Sequence, residues 1–474
     1  MIKRCLSSQS SARHAFFASI TDKDLRFFER TLGKSNVLVE CEDTAQFCTD
    51  WLRIHKSSCK EGVVLLPKTT SELSALLSYC NDRKLAVCPQ GGNTGLVGGS
   101  VPVFDELVVS LKRMNEIIDF EEISGLLKCE SGCILQSLSD HVENQGYIMP
   151  LDLAAKGSCH IGGNLATAAG GIRFLRYGSL HAHTLGLEVV LADGRVLCDM
   201  NGLKKDNTGL ALRHMFIGSE GTLGIITKAA LNCPPKPQFS VTAFLGCNQF
   251  DDCLNLLKIA KFSLQNTLTS FEFLDKEGIL CCNKNMNTTS PIGTDYPFYI
   301  LIEIAGSEDL DLRTTMAIIL WKIAFERRLV ADGNIWKIRE SFAEATVKER
   351  FYVMHDFTLA GRDFYDIVNE LRTKLSQSKS SAKVMTCGHL GDGNVHLSLV
   401  ADERNQIIND SLYPWLYESV IRRGGSISAE HGIGVEKRDY MKLCRDTNFL
   451  ASMKSMKTLF DPSGILNPYK VYPV

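Results

Sequence analysis

Pro89-Gln90-Gly91-Gly92-Asn93-Thr94-Gly95-Leu96-Val97-Gly98-Gly99 follows directly on the apolar run Leu85-Ala86-Val87-Cys88. Five glycines in eleven residues make this the densest glycine cluster of the chain. Glycine lets a ligand come close to the main chain, and successive exposed N–H groups form an anion-binding nest that suits a pyrophosphate. Alone, the stretch also reads as a glycine-rich surface turn. Two further stretches give it direction: Gly157-Ser158-Cys159-His160-Ile161-Gly162-Gly163-Asn164 and Gly218-Ser219-Glu220-Gly221-Thr222-Leu223-Gly224-Ile225. Together the three read as a dinucleotide cradle. None is a GxGxxG opening a βαβ unit, which disfavours a Rossmann site, and GxxxxGK[ST] is absent.

Working outward, Gly62 to Pro67 is a short apolar run that predicts a buried strand. Thr69-Thr70-Ser71-Glu72 has the pattern of a capping box, opening a helix with Leu73, Leu76, Leu77 and Cys80 on one face. Leu107 to Val109, Leu126-Leu127 and Leu185 to Ala192 read as strands, and Ile134 to Val142 as an amphipathic helix. Pro234, Pro235 and Pro237 mark a boundary. Beyond it, Val241 to Leu245, Ser270 to Leu274 and Phe298 to Ile304 predict strands, and helices start near Phe250 and Leu310. Cys387 to His396 is another glycine-rich patch, and the turn-rich end from Asp461 to Pro468 is expected to return to the first domain.

At 474 residues the chain has room for two or three domains. A net charge of −2 argues against a general nucleic-acid binder. The 17 cysteines contain no CxxC pair, which fits free thiols in a reducing compartment. No apolar run is long enough to span a bilayer. Residues 1–20 carry Lys3, Arg4, Arg13 and several serines with no acidic residue. That composition suits either a mitochondrial transit peptide or a disordered tail, and targeting is the reading taken here.

The three glycine clusters resemble the flavin-binding signature of the vanillyl-alcohol-oxidase type of FAD proteins, and the similarity runs from about Gly62 to Lys470. The resemblance implies an α+β fold: a two-part FAD-binding domain, an α+β substrate (cap) domain, and a C-terminal segment returning to the FAD domain. The boundaries it suggests are 1–20 for the leader, 21–58 for an N-terminal segment, 59–236 for the FAD domain, 237–425 for the cap and 426–474 for the returning segment. FAD contacts are expected at Pro89, Gln90, Gly91, Gly92, Asn93, Thr94, Gly95, Leu96, Gly157, Ser158, Gly162, Gly163, Asn164, Gly218, Gly221, Gly224, Ile225 and Asn467. Relatives that attach FAD covalently commonly carry histidine where Asn93 stands, so a non-covalent flavin is expected.

His389-Leu390-Gly391-Asp392-Gly393-Asn394-Val395-His396 sets two histidines on either side of a tight turn. With a carboxylate such as Glu430 they can make a three-ligand metal site, although an isolated pair of this kind is more often structural. The resemblance implies a divalent metal, zinc, on His389, His396 and Glu430, with His431 as general base and Arg339 holding the substrate carboxylate. Without it, Arg339 reads as a surface charge among Lys337, Glu340 and Glu344. The implied substrate site comprises Arg339, Ser398, Glu430 and His431. The implied activity is oxidation of (R)-2-hydroxyglutarate to 2-oxoglutarate, with D-lactate oxidation or flavin binding without catalysis as alternatives. The implied partners are a small 2-hydroxy acid, electron-transfer flavoprotein and a second copy of the chain, in the mitochondrial matrix.

Three positions depart from that family's pattern. Ala343 stands where threonine is usual, Met354 where lysine is usual and Ser398 where asparagine is usual. The family also has about a dozen more residues between Asp332-Gly333 and Asn334 than this chain.

Overall fold

The computed structural model describes residues 13–57, 62–308, 312, 314–315, 329–330, 335–403 and 406–473. The leader before Arg13, most of the helix expected from Leu310 and the shortened segment at Asp332-Gly333-Asn334 lie outside the described residues. The chain divides into two units: residues up to Ala169, Ser179–Lys236 and from His431 onward form one, and Gly170–Gly178 with Pro237–Glu430 form the other.

The first unit holds two sheets. Its four-stranded sheet comprises β1 (Val37–Leu38), β2 (Val64–Leu65), β3 (Val87–Gln90) and β4 (Leu107–Ser110), in the order β1-β2-β4-β3. β2, β4 and β3 run parallel, which requires a crossover connection. The helix Thr70–Arg83 supplies it: the Thr69 hydroxyl accepts the Glu72 N–H at 3.1 Å, and Leu73, Leu76, Leu77 and Cys80 are fully buried. A cap of this kind is worth about 1 kcal/mol. The parallel strands deliver the chain into the glycine loop that follows Gln90. The five-stranded sheet is antiparallel, β5 (Ile117–Glu121), β6 (Leu126–Glu130), β7 (Thr184–Val190), β8 (Val196–Asp199) and β9 (Ile225–Asn232), in the order β5-β6-β9-β7-β8.

The chain's end returns to this unit. Val87 N–H donates to Ile465 O at 2.8 Å, Asn467 N–H donates to Val87 O at 2.7 Å, and Ile465 and Leu466 are buried in the core. So does the described part of the leader. Phe17 packs in the same core, and the Arg13 guanidinium binds Asp105 Oδ1 at 2.6 Å and the carbonyls of Phe17 and Ala18. A cut at residue 20 would remove this packing.

The second unit is built on one antiparallel sheet of seven strands: β10 (Phe239–Cys247), β11 (Leu268–Asp275), β12 (Phe298–Gly306), β13 (Leu329–Val330), β14 (Phe351–Thr358), β15 (Lys383–His389) and β16 (Asn394–Ala401). Their order is β13-β10-β12-β11-β15-β16-β14. Helices cover both faces. Phe273 and Phe364 meet edge to face on one, while Leu274, Cys387, Ile338 and Phe342 share a core on the other. The cap runs to Glu430, five residues past the expected 425, and takes in Gly170–Gly178. That excursion is held by Arg176, whose guanidinium donates to Thr269 Oγ1 at 3.1 Å and to Ala305 O at 3.0 Å.

Candidate active site

In the first unit the glycine clusters converge through backbone. A Cβ on Gly92 would lie 2.1 Å from Ser158 O and 2.9 Å from Cys159 Cα, so only glycine allows the first loop to press against the second. A Cβ on Gly91 would touch His160 and Gly163 at about van der Waals distance, and one on Gly221 would meet Pro89 at 2.8 Å. Asn93, in the left-handed region at φ 53°, spends its side chain on the fold. Its amide donates to Gln46 O and Thr49 O, and its Oδ1 accepts from Ser100. Asn467 Nδ2 donates to Gly99 O at 3.1 Å and to Glu220 O at 2.7 Å, tying the first and third clusters to the returning chain.

The first two loops line a cavity of about 450 Å³ whose walls include Gln90, Gly91, Gly92, Asn93, Ser158 and His160. Thr94, Gly95 and Leu96 continue the loop at its partly exposed end. Four buried polar atoms in and beside this region have no hydrogen-bond partner: Ser110 Oγ, Ser131 Oγ, His160 Nδ1 and Asn164 Oδ1. Buried polar groups are normally satisfied, so the cradle fits a polar, pyrophosphate-bearing ligand such as FAD. Other predicted contacts have packing roles. A Cβ on Gly224 would clash with Val189 at 2.6 Å, and Ile225 is buried in the core as β9 begins. Gly218, at φ 77°, donates its N–H to Leu165 O, which joins the third cluster to the helix Ile161–Ala166 that carries Gly162, Gly163 and Asn164. Gly157 has no neighbour within 4 Å of a would-be Cβ.

In the second unit the chemistry sits on side chains of one sheet face. β15 and β16 form a hairpin through Gly391-Asp392-Gly393, with Gly393 at φ 86° donating its N–H to His389 O. The hairpin brings the imidazoles of His389 and His396 to a centroid distance of 5.3 Å. Glu430 Oε1 lies 3.3 Å from His396 Nε2 and 3.9 Å from His389 Nε2. One donor atom from each of the three residues falls within 4.8 Å of the others. Donors about 2.0–2.2 Å from a tetrahedral metal are a little over 3 Å apart, and three protein ligands leave a fourth position open, as in catalytic zinc sites. The trio therefore fits a zinc-type ion. Asp356, opposite His396 in the β14–β16 register, accepts the Ala429 and Glu430 N–H groups at 2.8 and 2.9 Å and fixes the backbone that carries Glu430.

Glu272 has no counterpart in the sequence reading. Its Oε1 lies 2.9 Å from His389 Nδ1, and its Oε2 lies 2.9 Å from Arg339 Nε in an ion pair that lacks hydrogen-bond alignment. Burial alone would raise the Glu272 carboxyl; His389 and Arg339 outweigh it and hold it below the usual range. Burial likewise opposes the charged His389, and Glu272 reverses the balance and raises its pKa. The signal available in sequence was a single glutamate inside the otherwise apolar Phe271-Glu272-Phe273-Leu274. Arg339, in the short helix Ile335–Glu340, is only 8% exposed. The surface-charge reading fails because the helix turns Ile338 and Arg339 inward. Its Nη2 has no hydrogen-bond partner.

Ser398 is buried opposite both Met354 on β14 and Met385 on β15, and its hydroxyl lacks a hydrogen bond. Ala343 lies in the helix Phe342–Val347. His431 follows Glu430 directly and opens the segment returning to the first unit, where Glu220 accepts the Ile433 and Gly434 N–H groups at 2.7 and 2.8 Å. Burial raises the Glu220 carboxyl against the pull of those two N–H groups.

Residues 62–198 match the family of FAD binding domains, and residues 236–471 match the C-terminal domain of FAD linked oxidases. The mitochondrial D-2-hydroxyglutarate dehydrogenase of Arabidopsis thaliana is 46% identical over 99% of this chain and 86% of its own length. That of Danio rerio is 44% identical over 96% of this chain and 86% of its own. Among solved structures, p-cresol methylhydroxylase with substrate bound superposes with a TM-score of 0.77 at 17% identity, covering 95% of this chain and 97% of that one. The last likeness concerns the fold, which is that of the vanillyl-alcohol-oxidase type. A cradle without a Rossmann motif, a trio of His389, His396 and Glu430 in the second unit and near-full-length similarity place this chain in the FAD-linked D-2-hydroxyglutarate dehydrogenase family.

Proposed function

We propose that the chain oxidises (R)-2-hydroxyglutarate to 2-oxoglutarate with non-covalent FAD and a zinc ion held by His389, His396 and Glu430. The observation that carries the reading is the convergence of these three side chains beside the buried Arg339. When bound, the metal supplies a Lewis acid that lowers the pKa of the 2-hydroxyl, and FAD supplies a two-electron acceptor. The chain's own residues do the rest. Arg339 donates from Nη2 to the substrate's 1-carboxylate, a planar match that lysine lacks. His431 takes the hydroxyl proton on an imidazole nitrogen as C2 gives up its hydride. Asp356 keeps Glu430, and through the chain His431, in register. The acceptor beyond the flavin is electron-transfer flavoprotein, the working form is a homodimer, and the compartment is the mitochondrial matrix, reached by an N-terminal leader. Among the described residues no helix is long and apolar enough to cross a membrane.

One observation favours a second reading. The row Met354–Ser398–Met385, next to the row Asp356–His396–Cys387, offers a second carboxylate no cation. A D-lactate-type substrate needs none there. Anaerobic addition of each enantiomer of 2-hydroxyglutarate, and of D-lactate, to the flavin-loaded protein separates the readings. Rapid bleaching by (R)-2-hydroxyglutarate supports the proposal. Faster bleaching by D-lactate moves the assignment to the second reading, and bleaching by neither leaves a flavin-binding protein without this catalysis.

A further inference from the structure

The sheet face bearing the metal trio also buries Glu272, a carboxylate to which the proposed chemistry gives no part. It stands in β11, all eight residues of which are buried, and is 1% exposed. An unpaired carboxylate at such a depth is strongly disfavoured. The register placing Phe273 opposite Gly388 puts Glu272 across from His389, so the strand pairing itself brings carboxylate and imidazole together. On its other side the same carboxylate faces Arg339.

We propose that Glu272 is a positioning residue that orients His389 for the metal and Arg339 for the substrate anion at once. An ionised carboxylate can only accept, so it keeps the His389 proton on Nδ1 and leaves the Nε2 lone pair toward Glu430. A carboxylate behind a metal-bound histidine fixes its tautomer and ring plane and raises its basicity. The ion pair at Arg339 Nε anchors the guanidinium from behind and leaves Nη2 without a protein partner. Both effects come from one carboxylate: Oε1 and Oε2 lie 2.9 and 2.8 Å from His389 Nδ1, and Oε2 also lies 2.9 Å from Arg339 Nε. A glutamine removes the negative charge facing the guanidinium and leaves Nδ1 a single acceptor oxygen. The inference rests on reading His389, His396 and Glu430 as the metal site.

The test is zinc affinity of the flavin-loaded full chain, measured by competition with a chromogenic chelator in the absence of substrate, together with kcat and KM. Glu272→Gln is expected to weaken zinc binding about 10–100-fold and to raise KM. Arg339→Gln is expected to leave zinc affinity within about threefold of wild type, because the Glu272–His389 contact survives, while KM rises about tenfold or more. Zinc affinity unchanged in Glu272→Gln, or lost equally in both variants, overturns the proposal. The second outcome would mean that removing any buried charge loosens the face. If Glu272→Gln does not fold, Glu272→Asp keeps the charge but withdraws it by one methylene. Its zinc affinity is then expected to fall at least about fivefold, and a wild-type value overturns the proposal. Wild-type protein that binds no zinc would overturn the metal assignment itself, a failure visible before any substitution is made.

Discussion

The flavin cradle and the proposed metal face solve their recognition problems with opposite materials. The cradle is made of backbone: three loops close enough that Gly92 presses on Ser158 and Gly221 on Pro89, with side chains such as Asn93 and Asn467 used to hold the loops rather than the ligand. The metal face is made of side chains projecting from regular strands: Glu272 on β11, His389 on β15, His396 on β16, with Asp356 on β14 behind. A backbone site depends on what a residue lacks, and a side-chain site on what it carries. Substitutions should therefore fail in different ways. In the cradle, a methyl group added where loop meets loop, as at Gly92, should strip the cofactor, whereas on the side-chain face the flavin should stay and the chemistry should go.

The largest effect on flavin content is expected for Gly92→Ala. Its new Cβ has to displace backbone rather than a mobile side-chain end, so flavin content after purification should fall about tenfold or more, read from visible absorbance per protein. Normal flavin content would break the claim that the first two clusters meet through main chain. Arg339→Gln should come next, with KM for (R)-2-hydroxyglutarate raised about 10–100-fold and the flavin spectrum unchanged. A loss of flavin instead would erase the distinction between the two regions. Met354→Lys sharpens the comparison within the metal face. It adds a cation opposite Ser398 and should shift the kcat/KM ratio of (R)-2-hydroxyglutarate to D-lactate upward by about tenfold. An unchanged ratio would remove that row from the specificity account. Gly157→Ala should do least. With open space around the new Cβ, flavin content should remain within about twofold of wild type, and a strong loss would mean that the second cluster is tighter than its geometry shows.

The same difference in material governs what a single sequence discloses. Glycine clusters declare themselves, because few other needs put five glycines into eleven residues. The helix Thr70–Arg83 was equally legible, since its cap and its apolar spacing are local properties, and Leu73, Leu76, Leu77 and Cys80 are all buried. The two histidines were visible as a pair because the turn joining them is short. Glu272 was not, because its partner His389 lies 117 positions away and only the β11–β15 pairing brings them together. The strands Phe351–Thr358, Lys383–His389 and Asn394–Ala401 also escaped notice, since histidine, aspartate and glycine interrupt the apolar pattern where the site is built. Arg339 looked like one charge among several on a surface helix; packing of Ile335, Ile338 and Phe342 into the core decides that it faces inward. The joining of Gly170–Gly178 to the second unit has no local signature, for it depends on Arg176 reaching Thr269 and Ala305.

The most direct test of a backbone cradle for the cofactor and a side-chain face for the chemistry is made on His389→Ala. The variant should purify with a full complement of FAD and a wild-type visible spectrum. Under anaerobic conditions with (R)-2-hydroxyglutarate and added zinc, its flavin should bleach about a thousandfold more slowly than that of the wild type, the loss expected when a metal's Lewis-acid contribution is removed. Bleaching at the wild-type rate, or loss of the flavin itself, would contradict the account.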